Sequence, residues 1–463
     1  MWFALEEVQR VTRANLARKV DTRFRGVAID SRKCKREQLF VALRGRRVDG
    51  HSFVGEAVQR GARGAVVERV EEDLGVTIFE VPSTYEALVS LGKLASSRLR
   101  GTKIGITGTA GKTTCKHLFT RLLGSRFSVA MTPQSFNTTI GVSVSFANFE
   151  EDTSFVVVEA GINARGEMEP LASIICPEVV VFTAFGEGHL EGLGSLEGVV
   201  EEKLKLAGER TKQVYLNVDR GVPEVGSVAL RVPQAAIIPF GRTRKAALRL
   251  ESFALDVWNL RSTFSVTWGE HRFFFKAPIL APEVALVALP AIHFALEAGV
   301  PLGEIQEVLV DFRELPGRGG FLSFGNGVVV DDTYNANPLS VRKVVDLGTS
   351  FAQGGYRVCL VLGDMLELGD YAEKAHRDVL FHVQRSPVHL VLLFGPLFRR
   401  ALEGGFMEEV EKGRFIPVEE PEEAHRILRS FTTSPEKWVV ILKGSRGMGL
   451  EAMMLEEWRE PHA

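Results

Sequence analysis

A chain of 463 residues, 45% hydrophobic and 25% charged, has the make-up of a globular protein long enough for about three domains. Its net charge of −2 supplies no field to recruit nucleic acid or an anionic membrane, and Cys34, Cys115, Cys176 and Cys359 stand too far apart for a C-x-x-C zinc site or a disulfide framework. The opening M-W-F-A-L-E-E-V-Q-R lacks a basic stretch followed by an apolar core, and no apolar run reaches the roughly 20 residues that span a bilayer, so the expectation is a cytoplasmic protein in a reducing compartment, acting as a monomer on small molecules.

Residues 1–99 alternate short apolar runs with helical stretches. R-G-V-A-I-D-S-R-K, Q-L-F-V-A-L-R-G and G-A-V-V-E read as strands, and helices are expected from Phe53 to Gly61 and from Tyr85 to Leu99. Gly45, Gly50 and His51 sit in a glycine- and charge-rich loop open to a ligand. Residues 100–315 continue strand and helix. S-F-V-V-V-E-A-G is β-branched enough for a central strand, residues 248–275 alternate as antiparallel hairpins would, and a helix is expected from Glu283 to Ala298. L-P-G-R-G-G at 315–320 makes a hinge. Residues 316–463 then hold four strand-like runs, G-V-V-V-D-D, R-V-C-L-V-L-G-D, V-H-L-V-L-L-F-G and K-W-V-V-I-L-K-G-S. The reading is an α/β protein of three domains, 1–99, 100–315 and 316–463, with a mostly parallel central sheet and a Rossmann-like last domain.

The most informative stretch is T-K-I-G-I-T-G-T-A-G-K-T-T-C, from Thr102 to Cys115. A short strand, the turn from Gly108 through Thr109 to Gly111, and a helix start make a nest of backbone N–H groups suited to phosphate. Lys112 adds positive charge near the outer phosphates, the Thr113 hydroxyl suits magnesium, and Thr114 continues the helix start. The loop is shorter than G-x-x-x-x-G-K-[ST], whose first glycine would fall at Ile106. The implied ligand is ATP with Mg2+.

Other candidates end strands, where ligands collect in open α/β sheets. Glu159 closes F-V-V-V-E, where a carboxylate can approach a metal, and His189 follows V-V-V-F-T through G-E-G. Asp331, Asp332, Tyr334, Asn335 and Asn337 form the ligand-holding loop D-D-T-Y-N-A-N-P, although clustered Asn and Asp also favour turns for local reasons. G-D-M-L-E-L-G at 363–369 and K-G-S-R-G-M at 443–448 have the same placement, and Lys443, Ser445 and Arg446 offer donors for carboxylate or phosphate. Lys203, within E-E-K-L-K, reads by itself as an exposed helix lysine.

In this order the pieces resemble the Mur ligase family, ATP-dependent amide-forming enzymes of peptidoglycan precursor synthesis. The phosphate loop is common to that family. D-S-R-K-C-K-R-E-Q-L-F-V-A-L-R-G-R-R-V-D-G-H-S-F, S-F-N-T-T-I-G, G-E-G-H-L-E-G-L-G-S, D-D-T-Y-N-A-N-P, L-G-D-M-L-E-L-G and K-G-S-R-G-M look most like the branch that adds D-alanyl-D-alanine to UDP-N-acetylmuramoyl-tripeptide. The resemblance implies a UDP-sugar-peptide domain carrying Ser31 and Arg32, an ATPase domain and a closing C-terminal domain. It implies an acyl phosphate formed from the tripeptide carboxylate and attacked by the dipeptide amine. It gives Lys112, Glu159, His189 and Lys203 catalytic roles and implies that Thr113 holds one magnesium. Glu159, His189 and a carbamylated Lys203 would hold a second. Arg318 and Asp332, with Asn335 beside them, meet the nucleotide; Asn137, Asn337, Lys443, Ser445 and Arg446 face substrate.

Four departures from the family pattern stand out. Thr138 and Thr139 replace Asn and Glu, Ala184 replaces an asparagine, Val287 takes the place of an adenine-holding asparagine, and Gly319 and Gly320 follow Arg318 where Met and Glu are common. Two other readings stay open: a family member with a different amino-acid substrate, and a non-catalytic nucleotide-binding paralogue. No D-N-P-R-like stretch of the member that adds the third residue is present, and the phosphate and metal residues are intact.

Overall fold

The computed structural model describes residues 1–458 apart from 46–47, 71–73, 134–135, 220–222 and 434, so Arg46, Arg47 and Ser135 of the quoted motifs lie outside the described residues. The architecture is α/β, with three mostly parallel sheets and an amino-terminal ribbon of Trp2–Ala4 against Arg23–Arg25.

The first sheet runs Asn15–Arg18, Thr77–Glu80, Gly64–Val67, Leu39–Val41, Val27–Ala28, parallel except for its first member. The three expected strands are present, as are helices Val54–Gln59 and Thr84–Arg98. In the loop around His51 that side chain is buried and held at both ring nitrogens. Its Nε2 accepts the Glu68 amide at 2.8 Å, and its Nδ1 lies 2.6 Å from Asp49 Oδ1. His51 is a loop brace.

The central sheet has nine strands. In spatial order they are His271–Ala277, Arg261–Trp268, Leu248–Asp256, Ala236–Gly241, Gln213–Asn217, Val179–Phe182, Thr102–Thr107, Phe155–Glu159 and Val129–Met131. Val156, Val157 and Val158 are fully buried, which is why this run shows no alternation: an interior parallel strand is covered on both faces. Leu248–Asp256 pairs parallel to Ala236–Gly241, and the two antiparallel strands after it extend the same sheet at its edge. The expected helix before the hinge spans Pro282–Glu297 and packs on helix Lys112–Leu123.

The third sheet runs Gly320–Phe324, Gly327–Asp332, Trp438–Lys443, Arg357–Gly363, Leu390–Phe394, Phe415–Val418, parallel except for the first. Two of these strands escape the sequence reading. Gly320–Phe324 starts inside the glycine-rich hinge, and Phe415–Val418 carries Pro417, which an edge strand tolerates.

Parallel strands deliver their carboxyl ends to one edge. The pairings Glu159 with Ile106 and Phe182 with Thr107 set Glu159 and Thr183 beside the phosphate loop, and the pairing of Asp332 with Lys443 brings those two side by side in the third sheet. Gly327 faces Trp438 in that sheet, and a Cβ added there would lie 1.9 Å from Trp438 Cε2. A Gly327→Ala variant is expected to lose about 1–3 kcal/mol of stability through overpacking, read as a lower unfolding midpoint by tryptophan fluorescence. An unchanged midpoint would mean that the strand pair shifts to admit the methyl group.

Candidate active site

The turn between strand Thr102–Thr107 and helix Lys112–Leu123 is built for glycine at both ends. Gly108 has φ +152° and Gly111 φ +82°; a Cβ at Gly108 would lie 2.1 Å from Thr183 Oγ1, and one at Gly111 2.9 Å from Val287 Cγ1. Neighbouring strand ends hold the loop open. The Thr109 amide donates to Ala184 O at 2.8 Å, its hydroxyl to Gly186 O at 3.0 Å, and the Thr183 hydroxyl to Ala110 O at 2.6 Å. The helix therefore begins with free N–H groups above a fixed turn, which favours a bound anion.

Beside the loop lies a buried cluster of charge. Glu159 Oε2 accepts the Thr113 hydroxyl at 2.9 Å and lies 3.6 Å from Lys116 Nζ, while Asn137 Nδ2 reaches Glu159 Oε1 at 3.4 Å. Burial pushes the Glu159 carboxyl up, but Lys112, Lys116, Arg318 and the Thr113 hydroxyl together bring it below the ordinary carboxylate value. Lys112 folds back on Gly108 O at 2.9 Å, and Lys116 donates to Thr132 O at 2.8 Å. Lys116 carries no signal of its own in the sequence, although its spacing of one helical turn from Lys112 places both on one face.

Lys203 overturns its reading as an exposed lysine. It is 1% exposed, and burial, with Lys112 nearby, drives its amine well below the usual lysine value. His189, at φ +56°, is held in its neutral form first by burial and then by Lys112 and Lys203.

The facing wall belongs to the third sheet and the hinge. Asp331 braces the hinge, accepting the Gly317 amide at 2.8 Å and the Thr333 hydroxyl at 2.7 Å. This sets the Arg318 guanidinium 3.6 Å over the Tyr334 ring. Lys443 is buried and turned inward, 2.7 Å from Asp332 Oδ2 and 2.6 Å from Asn335 O. Between the walls runs a cleft of about 1140 Å³, open mouth included, lined by Thr109, Gly111, Thr113 and Thr114 on one side and Arg318, Asp332, Asn335, Asn337 and Lys443 on the other. Val287 lines the same cleft against the phosphate turn, and Thr138 caps helix Thr139–Asn148. Two of the departures thus have structural uses.

The remaining candidate residues have partners of their own. Ser31 donates to Glu56 at 2.6 Å and Arg32 pairs with Asp30 at 2.9 Å, both in the first sheet's unit. Ser445 is buried and accepts the Leu366 amide at 2.9 Å, and Arg446 pairs with Glu451. Asn337 caps helix Pro338–Gln353 from the cleft rim. Glu314 lines the cleft and had no sequence signal beyond its place before the hinge.

Among the described residues, no group of three His, Cys, Asp or Glu side chains forms a metal cage. The donor set nevertheless fits a hard divalent cation beside phosphate: a hydroxyl and an ionised carboxylate 2.9 Å apart at the loop, a neutral imidazole, and an amine whose lowered pKa suits carbamate formation.

Burial and then Asp332 push Glu314 up to about 8, from 4.5. A carboxyl raised in the folded state contributes stability that is complete below about pH 4.5 and drains away as pH rises through about 8. Glu314→Gln is expected to flatten that fall, so its melting temperature should drop less than that of the unaltered chain between pH 5 and pH 8. Parallel curves would place the carboxyl in an ordinary environment.

Three Mur ligase family models match the chain: the Mur ligase family catalytic domain over residues 23–92, the Mur ligase middle domain over 106–291, and the Mur ligase glutamate ligase domain over 317–446. UDP-N-acetylmuramoyl-tripeptide–D-alanyl-D-alanine ligase of Bacillus subtilis is 29% identical over 448 residues, covering 95% of this chain and 94% of its own. The same-named protein of Treponema pallidum is 30% identical over 447 residues, covering 93% of each. The crystal structure of MurF from Acinetobacter baumannii superposes with a TM-score of 0.87 at 25% identity over 98% of both chains. MurF ligase of Thermotoga maritima in complex with ADP shares the fold, with a TM-score of 0.79 at 24% identity over 93% of this chain and 96% of its own. The chain belongs to the Mur ligase family.

Proposed function

We propose that this chain is an ATP-dependent ligase that joins D-alanyl-D-alanine to UDP-N-acetylmuramoyl-tripeptide in peptidoglycan precursor synthesis. The observation that carries the reading is the cleft between the phosphate loop and the Asp332 edge, in a chain aligned almost end to end with relatives of that name. The division into units 1–99, 100–315 and 316–463 gives the UDP-sugar peptide, the nucleotide and the closing wall a domain each. No helix among the described residues is long and apolar enough to cross a membrane. A cytoplasmic monomer is the working state we assign.

The chemistry joins two anions and then expels one. A carboxylate oxygen of the tripeptide attacks the γ-phosphorus of ATP, and ADP leaves. The dipeptide amine attacks the acyl carbon and loses its proton, and phosphate departs with one of the original carboxylate oxygens. Lys112, which rests on the Gly108 carbonyl, swings from that loop carbonyl to the transferring phosphoryl group, and the loop amides hold the phosphates. Thr113 and Glu159 would hold one Mg2+; Glu159, His189 and a carbamylated Lys203 would hold the other. These ions supply charge neutralisation at the transferring oxygens. Asn137, bonded to Glu159, would stand next to the substrate. Arg318 and Asp332 meet the nucleotide with Asn335 beside them, and Ser31 and Arg32 serve the UDP-sugar end. Asn337, Lys443, Ser445 and Arg446 form the wall against which the incoming dipeptide is held.

The test is ADP release with ATP, magnesium and the UDP-muramoyl-tripeptide, with and without D-alanyl-D-alanine, and with product masses followed. Turnover should need both substrates and yield a product heavier by one dipeptide. Turnover with some other amine would keep the chemistry and move the substrate. Nucleotide binding without turnover would contradict the ligase reading. Glu159→Ala is expected to lower kcat by about 10²–10³-fold while leaving nucleotide binding measurable, in line with loss of one preorganised electrostatic group.

A further inference from the structure

The segment G-D-M-L-E-L-G has no part in the steps above, yet it is firmly anchored. The Asp364 carboxylate accepts the Leu397 and Phe398 amides at 2.9 Å each, the Met365 amide donates to His376 Nε2 at 3.0 Å, and the Leu366 amide donates to Ser445 Oγ at 2.9 Å. The Met365 and Leu368 side chains are buried. Between these anchors stands Glu367, at φ +62°, with its side chain 57% exposed. Its Oε2 lies 2.6 Å from His189 Nδ1 on the central unit. That nitrogen is buried, and the Glu367 carboxylate is the acceptor within its reach. Beside this pair, a Cβ at Gly369 would sit 3.6 Å from Glu191 Cα, so the short helical turns Leu190–Leu193 and Gly369–Tyr371, from the units of different sheets, meet here.

We propose that Glu367 is a positioning residue for His189. A neutral imidazole carries one N–H; a carboxylate at Nδ1 holds the proton there and leaves Nε2 bare as the ligand atom. Because Glu367 belongs to the third sheet's unit and His189 to the central one, the second divalent-cation position is complete only while the two units are seated together. The inference rests on His189 being a ligand, as proposed above. Through Glu367, the G-D-M-L-E-L-G segment couples domain seating to metal affinity.

The test uses the full chain with a non-hydrolysable ATP analogue, titrated with Mn2+ and followed by the electron paramagnetic resonance signal of the free ion. Two classes of Mn2+ are expected, and the nucleotide-linked class serves as the control for folding. Glu367→Ala should weaken the second class about 10–100-fold and leave the first unchanged. Glu367→Gln, whose amide oxygen still accepts Nδ1–H, should lose less, and His189→Ala should abolish the second class. Wild-type affinity in Glu367→Ala, with loss in His189→Ala, would overturn the positioning role and leave the ligand reading standing. Wild-type affinity in His189→Ala would overturn the ligand reading itself. Equal losses in the alanine and glutamine variants would make Glu367 a direct ligand through its charge, which also overturns the proposal.

Discussion

The structure turns on an ionised carboxylate kept almost out of water. Glu159 stays charged only because Lys112, Lys116 and Arg318 face it and Thr113 donates to it. Removing the carboxylate would leave the cations around it without their counter-charge, and breaking such a buried set costs about 3–5 kcal/mol. Three cations around one carboxylate leave positive charge uncompensated at the mouth of a glycine turn. A triphosphate is the anion that fits this surplus, and the burial that makes the cluster costly alone strengthens every interaction once the anion arrives.

The same constraint accounts for the second wall. Arg318 is contributed by the hinge, yet it acts on Glu159 in the central unit, so the electrostatic site is complete only with the third sheet in place. Asp331 and Tyr334 keep Arg318 there: one fixes the backbone of the turn, the other carries the guanidinium on its ring. Asp332 and Lys443 offset each other across paired strand ends, so the rim of the cleft carries little unpaired charge of its own. Lowering of the Lys203 amine belongs to the same balance, since burial first and then the neighbouring Lys112 disfavour a further ammonium.

Much of this was legible in the sequence where function depends on local chain geometry. The glycine turn, the β-branched interior strands and the D-D-T-Y-N-A-N-P loop announce themselves through spacing and residue type, because backbone conformation at a turn and burial in a parallel sheet are written locally. What escaped depends on contacts between distant segments. E-E-K-L-K says nothing of the packing that buries Lys203, and Lys116 gains its meaning only when Glu159, far along the chain, is brought to 3.6 Å. Glu314 precedes the hinge without any pattern, and its character comes first from burial and then from Asp332 on the next strand pair. The strand at Phe415–Val418 was hidden by Pro417, whose lack of an amide proton is harmless only at an edge.

Phosphoryl transfer to a carboxylate at this buried surplus of positive charge leaves its record in the oxygen atoms. It is tested most directly by following them. UDP-muramoyl-tripeptide labelled with heavy oxygen in its terminal carboxylate would be turned over with ATP and D-alanyl-D-alanine, and the released phosphate examined by mass spectrometry. One labelled oxygen is expected in each phosphate released, the other remaining in the new amide carbonyl. Phosphate free of label, with product formed, would contradict that transfer.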